Sequence, residues 1–200
     1  MNRPLSEREE QILLQLKKFD FMTRDQINRS FKLGTIRNTN RILSELSRYL
    51  KNIRIGYETI YYLSKSGRNY VDCDKVRKVD GQIHHAVMRN DVWLFNDCPQ
   101  KWKNETRVSD GTATVIVDAM FTDAWERKHF LEVDYKQSMS ENRKKINRYK
   151  ELFANGLIEE KFGHFPTIVW LTTTEHRRKQ LKDECEGLPV VMVFTTRDIQ

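Results

Sequence analysis

A chain of 200 residues with 38% hydrophobic and 32% charged residues, 8 Gly and 4 Pro has the make-up of an ordinary globular protein, long enough for one large core or two small ones. Its polar start, MNRPLSEREEQ, lacks an apolar signal region, and no stretch approaches the roughly 18 uninterrupted apolar residues of a membrane helix. Secretion and membrane spanning are therefore not expected, and the sequence reads as cytoplasmic. Cys73, Cys98 and Cys185 are odd in number and far apart with no CxxC, which argues against a disulfide framework and a cysteine zinc site.

The net charge of +7 is unevenly spread. Residues 1–80 hold 17 Lys+Arg against 10 Asp+Glu and residues 81–200 hold 18 against 18, so the whole excess lies in the first 80. A basic segment joined to a neutral one points to a nucleic-acid-binding module, because the phosphate backbone is the most general partner of a basic face; a solvated basic surface is the plain alternative.

In chain order, Ser6 with Glu9 three residues on forms a capping box, and Ile12, Leu13, Leu16 and Phe19 give an apolar stripe, so a helix is expected from Glu7 to Lys18. Thr23 caps a second, from Arg24 to Phe31, Gly34 makes a turn, and a third runs from Ile36 to about Leu50 on Leu43, Leu46 and Leu50. Ile53–Gly56 and Thr59–Leu63 read as a hairpin about Gly56-Tyr57-Glu58, followed by a short closing helix in Ser64–Val71. Three helices and a two-stranded wing make a winged helix-turn-helix. Its exposed Arg and Asn side chains suit base edges in the major groove and its other cations suit phosphates. The candidate DNA contacts are Arg24, Lys32, Arg37, Asn38, Asn40, Arg41, Arg48, Lys51 and Arg54. A winged helix used only for protein contacts is the alternative.

Lys75–Gln82 is polar and contains Gly81, so the linker and a boundary between domains 1–80 and 81–200 are placed there. A helix is expected from Gln82 to Phe95; His84 and His85 are adjacent on it and point about 100° apart, which does not suit shared metal ligation. Strands follow at Lys103–Val108, Thr112–Phe121 and Phe130–Tyr135. Then come a helix from the Ser138–Glu141 capping box to a stop at Gly156, a strand at Phe165–Leu171, a helix at Thr174–Glu184 capped by Thr172, and a strand at Pro189–Thr195.

Asp118 is the only charge in the apolar run Thr114–Phe121, and an ionised residue there must be paired, ligated or at a strand end. Strand alternation puts Glu132 and Asp134 on one face with Lys136 extending the row, against Leu131, Val133 and Tyr135 on the other. The following helix presents Arg143, Lys144, Lys145 and Arg148. Neighbouring carboxylates beside a basic helix suit a divalent metal and a phosphate; a polar cluster of ion pairs is the alternative.

The element order of residues 82–195, with Asp118 on the second strand and Glu132-x-Asp134 on the third, resembles the PD-(D/E)XK nuclease core. That resemblance implies an α+β protein in which a mixed central sheet follows the winged helix. It also implies Mg²⁺ held by Asp118, Glu132 and Asp134 if the site is active, and no required cofactor if it is not. The sequence departs from the motif: Asp134 stands where a Lys helps to deprotonate water, and Val117 stands where Pro precedes the Asp. Lys136, Lys144 or Lys145 could take over the missing cation's role.

Tyr61-Tyr-Leu-Ser-Lys-Ser-Gly67, Glu105, Val117-Asp118-Ala119, Phe130-Leu-Glu-Val-Asp134 and Lys145-Ile-Asn-Arg-Tyr149 together resemble the replication-relaxation family. The resemblance implies a double-stranded-DNA-binding accessory protein of a plasmid, phage or integrative element. Its expected partners are DNA, replication or relaxase proteins of the same element and, in a dimer, a second copy. Loss of catalysis is the expectation favoured here. The alternatives are a Mg²⁺-dependent endonuclease or nickase aimed by the winged helix, and a transcriptional regulator whose C-terminal domain dimerises.

Overall fold

Side-chain caps start the first three helices of the computed structural model, which describes residues 3–77 and 81–199. Ser6 and Glu9 form a reciprocal capping box at α1 (Glu7–Phe19), Thr23 and Gln26 form another at α2 (Arg24–Phe31), and Thr35 accepts from the backbone of Asn38 at α3 (Ile36–Glu45). Ile12, Leu13, Leu16, Phe19, Ile27, Ile42 and Leu43 on these helices are buried. Thr23, with Met22, forms the short strand β1, which pairs antiparallel with β3 (Glu58–Leu63); β3 also pairs antiparallel with β2 (Leu50–Ile55), giving the order β1-β3-β2. A closing helix α4 (Lys65–Tyr70) follows, capped by Ser64.

The third helix is shorter than the sequence suggests. Leu46 and Leu50 continue a helical spacing, but the chain turns after Glu45 and Leu50 opens β2 opposite Leu63. The hydrophobic effect is satisfied equally well in either conformation, since both leucines are buried as expected. The polar linker is only partly in view, because residues 78–80 lie outside the described residues. Of its described part, Lys75 and Arg77 pair with Asp20 just beyond α1.

Chain contacts divide the protein into two units, Met1–Asn90 and Asp91–Gln200, and the helix α5 (Ile83–Phe95) contributes residues to both. In the first, Ile83, Ala86 and Val87 pack with Phe21 and Ile60. The second unit contains a mixed five-stranded sheet of order β4-β5-β6-β7-β8: β4 (Trp102–Ser109), β5 (Thr114–Thr122), β6 (Lys128–Asp134), β7 (Thr167–Thr172) and β8 (Val191–Thr195). The pairs β4–β5 and β5–β6 are antiparallel, and β6–β7 and β7–β8 are parallel. The protein is thus α+β with the mixed central sheet that the sequence led us to expect.

The helices α6 (Met139–Ala154), α7 (Leu157–Phe162) and α8 (Glu175–Glu184) complete this unit. Ile146, Tyr149 and Leu152 of α6, Ile158 of α7 and Leu181 of α8 pack with Val117, Phe130, Ile168 and Trp170 in one hydrophobic core. Gly156, at φ 72°, stops α6 as expected, and a separate short helix, α7, starts directly after it. Two local expectations are corrected. Helix α8 is capped by Thr174, not Thr172. Ser138 caps α6, but Glu141 turns away to Lys144, so the box is not reciprocal. No helix among the described residues is long and apolar enough to cross a membrane, and Cys73, Cys98 and Cys185 are thiols.

Gly67 of α4 lies tight against the turn that precedes β2: a Cβ there would stand 2.1 Å from the carbonyl oxygen of Tyr49. Gly67→Ala is expected to lower stability by about 1–3 kcal/mol by pushing α4 off that carbonyl. Urea denaturation of the full chain measures it, and a midpoint equal to wild type would contradict it.

Candidate functional site

The site grows from an interruption in β5. Val115, Val117 and Met120 all pack in the core beneath α6, a spacing that strict alternation forbids. The pleat breaks at Asp118: the β4–β5 ladder skips it, the β5–β6 ladder ends at Ala119, and Glu105, opposite it on β4, has a left-handed backbone at φ 48°. The Asp118 carboxylate accepts from the amide of Val133 on β6 at 2.7 Å.

On β6 the alternation holds. Glu132 and Asp134 both face α6, and both are buried, at 1% and 2% exposed. Glu132 receives the Tyr149 hydroxyl on Oε1 and the Lys145 ammonium on Oε2, both very short contacts from α6. Asp134 is held more widely. Arg177 of α8 donates to both of its oxygens at 2.6 and 2.9 Å, Asn142 of α6 donates to Oδ1 at 2.9 Å, and the Thr172 hydroxyl donates to Oδ2 at 2.8 Å. The two carboxylates are therefore served by different cations.

Their titration diverges accordingly. Burial, reinforced by the neighbouring charge of Asp118, pushes Glu132 up to about 8 despite Lys145 and Tyr149. Burial also opposes ionisation of Asp134, but the hydrogen bonds of Arg177, Asn142 and Thr172 outweigh it and hold the group below its ordinary value. Tyr149 is raised well above its ordinary value by burial and by the charge of Glu132.

Lys136 does not extend the carboxylate row. The strand ends at Asp134, and Lys136 is exposed with its ammonium 5.2 Å from the ring centre of Tyr135. Lys145, one of the cations on the following helix, is the one that reaches Glu132; Lys144 pairs with Glu141 at 2.7 Å and Arg143 with Glu184 at 2.6 Å. Lys144, Lys145 and Arg148 line an open groove of about 350 Å³ beside Val115 and Ile116. Arg177 and Tyr149 were not legible as site residues. Arg177 is 43 positions from Asp134 with no local signal, and Tyr149 reads as one more apolar position of α6. Among the described residues, no group of three His, Cys, Asp or Glu side chains is arranged to hold a metal ion.

In the first unit, the candidate contacts divide into two sets. Asn38 and Arg41 are engaged locally: the Asn38 amide donates to Leu33 O at 2.8 Å, and Arg41 donates to Asn38 at 3.1 Å and to Glu45 at 2.6 Å. Arg24 donates to Asn40 Oδ1 at 3.4 Å, Arg54 to Gly56 O at 3.3 Å, and Arg48 lies 5.7 Å from the ring centre of Tyr49. Lys32, Arg37 and Lys51 are exposed, and no hydrogen bond or ion pair engages their side chains among the described residues.

Residues 13–168 match the replication-relaxation family profile. No curated protein matches the chain. Among solved structures, the chain is similar to protein VC1899 from Vibrio cholerae at 13% identity and a TM-score of 0.41, covering 98% of this chain and 55% of that one. It is also similar to a repair endonuclease from Pyrococcus abyssi at 15% identity and a TM-score of 0.31, covering 70% and 51%. The chain thus spans about half the length of these solved proteins.

The Glu132 carboxyl generates a prediction about pH. Its folded value, about 8, lies above its ordinary 4.5, so the native state holds the proton more tightly. Its contribution to stability is fully present below 4.5 and is lost as pH rises toward 8. Asp134 has the opposite sign, contributing above its ordinary 3.8 and losing that contribution as pH falls through its lowered folded value. Urea midpoints should decline less between about pH 5 and 8 in Glu132→Gln than in wild type. Parallel pH profiles would show that Glu132 does not titrate in this range.

Proposed function

Because the chain belongs to the replication-relaxation family, we propose that it is a cytoplasmic accessory protein that binds double-stranded DNA of a plasmid, phage or integrative element. In this reading α1–α3 and the β2–β3 hairpin act as a winged helix-turn-helix, and the second unit does not cut DNA. One observation carries the DNA-binding half. The formal charge excess is confined to residues 1–80, where Lys32, Arg37 and Lys51 stand exposed with no side-chain partner among the described residues, available for phosphates and base edges. Asn38, bonded to Leu33 O ahead of α3, and Arg41, bonded to Asn38 and Glu45, act as supports; Arg37 and Asn40 are the base readers.

The oxygens of the carboxylates support the non-catalytic half. A Mg²⁺ site needs free, ionised oxygen ligands. Both oxygens of Glu132 are taken by Tyr149 and Lys145, and both of Asp134 by Arg177, Asn142 and Thr172. With their oxygens so engaged, these residues do not fit Mg²⁺. The endonuclease reading keeps one observation in its favour: Lys145, beside Glu132 and the neighbouring Asp118, supplies a cation where the Lys of the nuclease motif is missing.

Gel shifts with the full chain test the binding half. Arg37→Ala and Asn40→Ala should each cost about 1–3 kcal/mol on a sequence selected from a random pool and little on random duplex, whereas Lys51→Ala should weaken both alike. Equal losses on both DNAs for Arg37→Ala and Asn40→Ala would show that α3 does not read bases. The non-catalytic half predicts no nicking of supercoiled plasmid in Mg²⁺ or Mn²⁺. Nicking by wild type that disappears in Glu132→Gln would put the endonuclease reading first.

A further inference from the structure

On the sheet face opposite Glu132, the second unit contains a cavity of about 190 Å³ that the reading above does not use. Drug-sized sites are commonly ~300–1,000 Å³, so this one has room for a single ring system. Its walls are aromatic. Phe121 and His129 stack at 4.7 Å and 9°, Trp102 stacks behind Phe121 at 5.1 Å, and Phe95 meets Phe194 at 5.9 Å across another side. At the mouth is Trp125, 76% exposed in the β5–β6 turn, with the Arg127 guanidinium 5.3 Å from its ring centre.

The turn that presents Trp125 and Arg127 is built around one carboxylate. Asp123 accepts from the amides of Trp125 and Arg127 at 2.9 Å each, from Arg127 Nε at 3.1 Å, and from His129 Nε2 at 3.0 Å. Burial opposes its charge, yet these bonds hold Asp123 down at about 2. Two hydrogen-bonding capacities are left over among the described residues. The terminal guanidinium nitrogens of Arg127 have no partner, and His129 Nδ1, on a ring 7% exposed, is buried without one. His129, which lines the cavity, thus offers a buried ring nitrogen with no protein partner among the described residues.

We propose that this cavity is a subsite for one unpaired base of single-stranded DNA. The base stacks on Trp125, its polar edge satisfies His129, and its adjoining phosphate meets Arg127. A flat ring, a hydrogen-bonding edge and an anion are what the three features take together; an aliphatic side chain from a protein partner would leave the nitrogen and the cation unmet. Stacking of bases on aromatic side chains tolerates any sequence, which suits a strand opened at varied sites. The inference rests on the DNA-binding reading only for the source of the base.

Fluorescence anisotropy of the full chain with a short labelled oligothymidylate tests it, beside the same measurement on duplex. Wild type should bind the single strand, and Trp125→Ala should weaken that binding about tenfold while leaving duplex affinity unchanged. Trp125→Phe, which keeps a stacking face, should recover most of the loss. Arg127→Ala should weaken single-strand binding and flatten its salt dependence. Duplex binding without single-strand binding overturns the subsite alone; loss of duplex binding in wild type overturns the DNA reading instead. Equal losses on both DNAs in Trp125→Ala, displacement by thymidine monophosphate at equal concentration, or a dimer that Trp125→Ala dissolves would each overturn it.

Discussion

Glu132 has to be stabilised inside a sheet that leaves it 1% exposed, and its two oxygens are the points at which α6 is fastened to β6. Asn142, Lys145 and Tyr149 stand on one face of that helix, three and four residues apart, and each takes an oxygen of Glu132 or Asp134. The carboxylates therefore dictate both the rotation and the axial position of α6. Desolvating such charges costs several kcal/mol apiece, which only well-formed hydrogen bonds repay. The break in β5 belongs to the same arrangement, because Asp118 brings a further negative charge against Glu132 and gives its own oxygen to a β6 amide.

A buried polar cluster of this kind specifies geometry more than it supplies stability. Apolar side chains at 132 and 134 could sink α6 against the sheet in several registers, whereas a carboxylate that needs Lys145 on one oxygen and Tyr149 on the other admits one. The same bonds withdraw the carboxylates from solvent ions. The groove beside α6 consequently presents mainly cations, with Lys144 and Lys145 already engaged and Arg148 carrying no ion pair among the described residues.

Much of this architecture was legible in the sequence, where local physics decides it. Ser6-x-x-Glu9 and Thr23-x-x-Gln26 fix two helix starts through their own side chains, and the apolar stripes of α1 and α6 repeat at helical spacing. The failures came where two conformations satisfy one pattern. Leu46 and Leu50 fit a longer α3 as well as they fit a turn followed by a strand, and pairing with Leu63 decides between them. The break at Asp118 carries no local signal in its own strand, because the unusual backbone is at Glu105 on the neighbouring strand. Glu132 and Asp134 were visible as a pair, but their separation into two ion pairs depends on Arg177, which only the β7–α8 crossover brings within reach.

The helix α5 bears on how such a protein could be assembled from parts. Its first eight residues belong to the first compact unit: Gln26 donates to Val87 O at 2.9 Å and Asn90 to Phe21 O at 2.6 Å. Its last five, from Asp91, belong to the second. A recombination event that joined either unit to a new neighbour at the polar stretch before Ile83 would strip the first unit of a helix it packs against. Any viable exchange has to carry α5 along, or supply a substitute whose two halves suit two different cores.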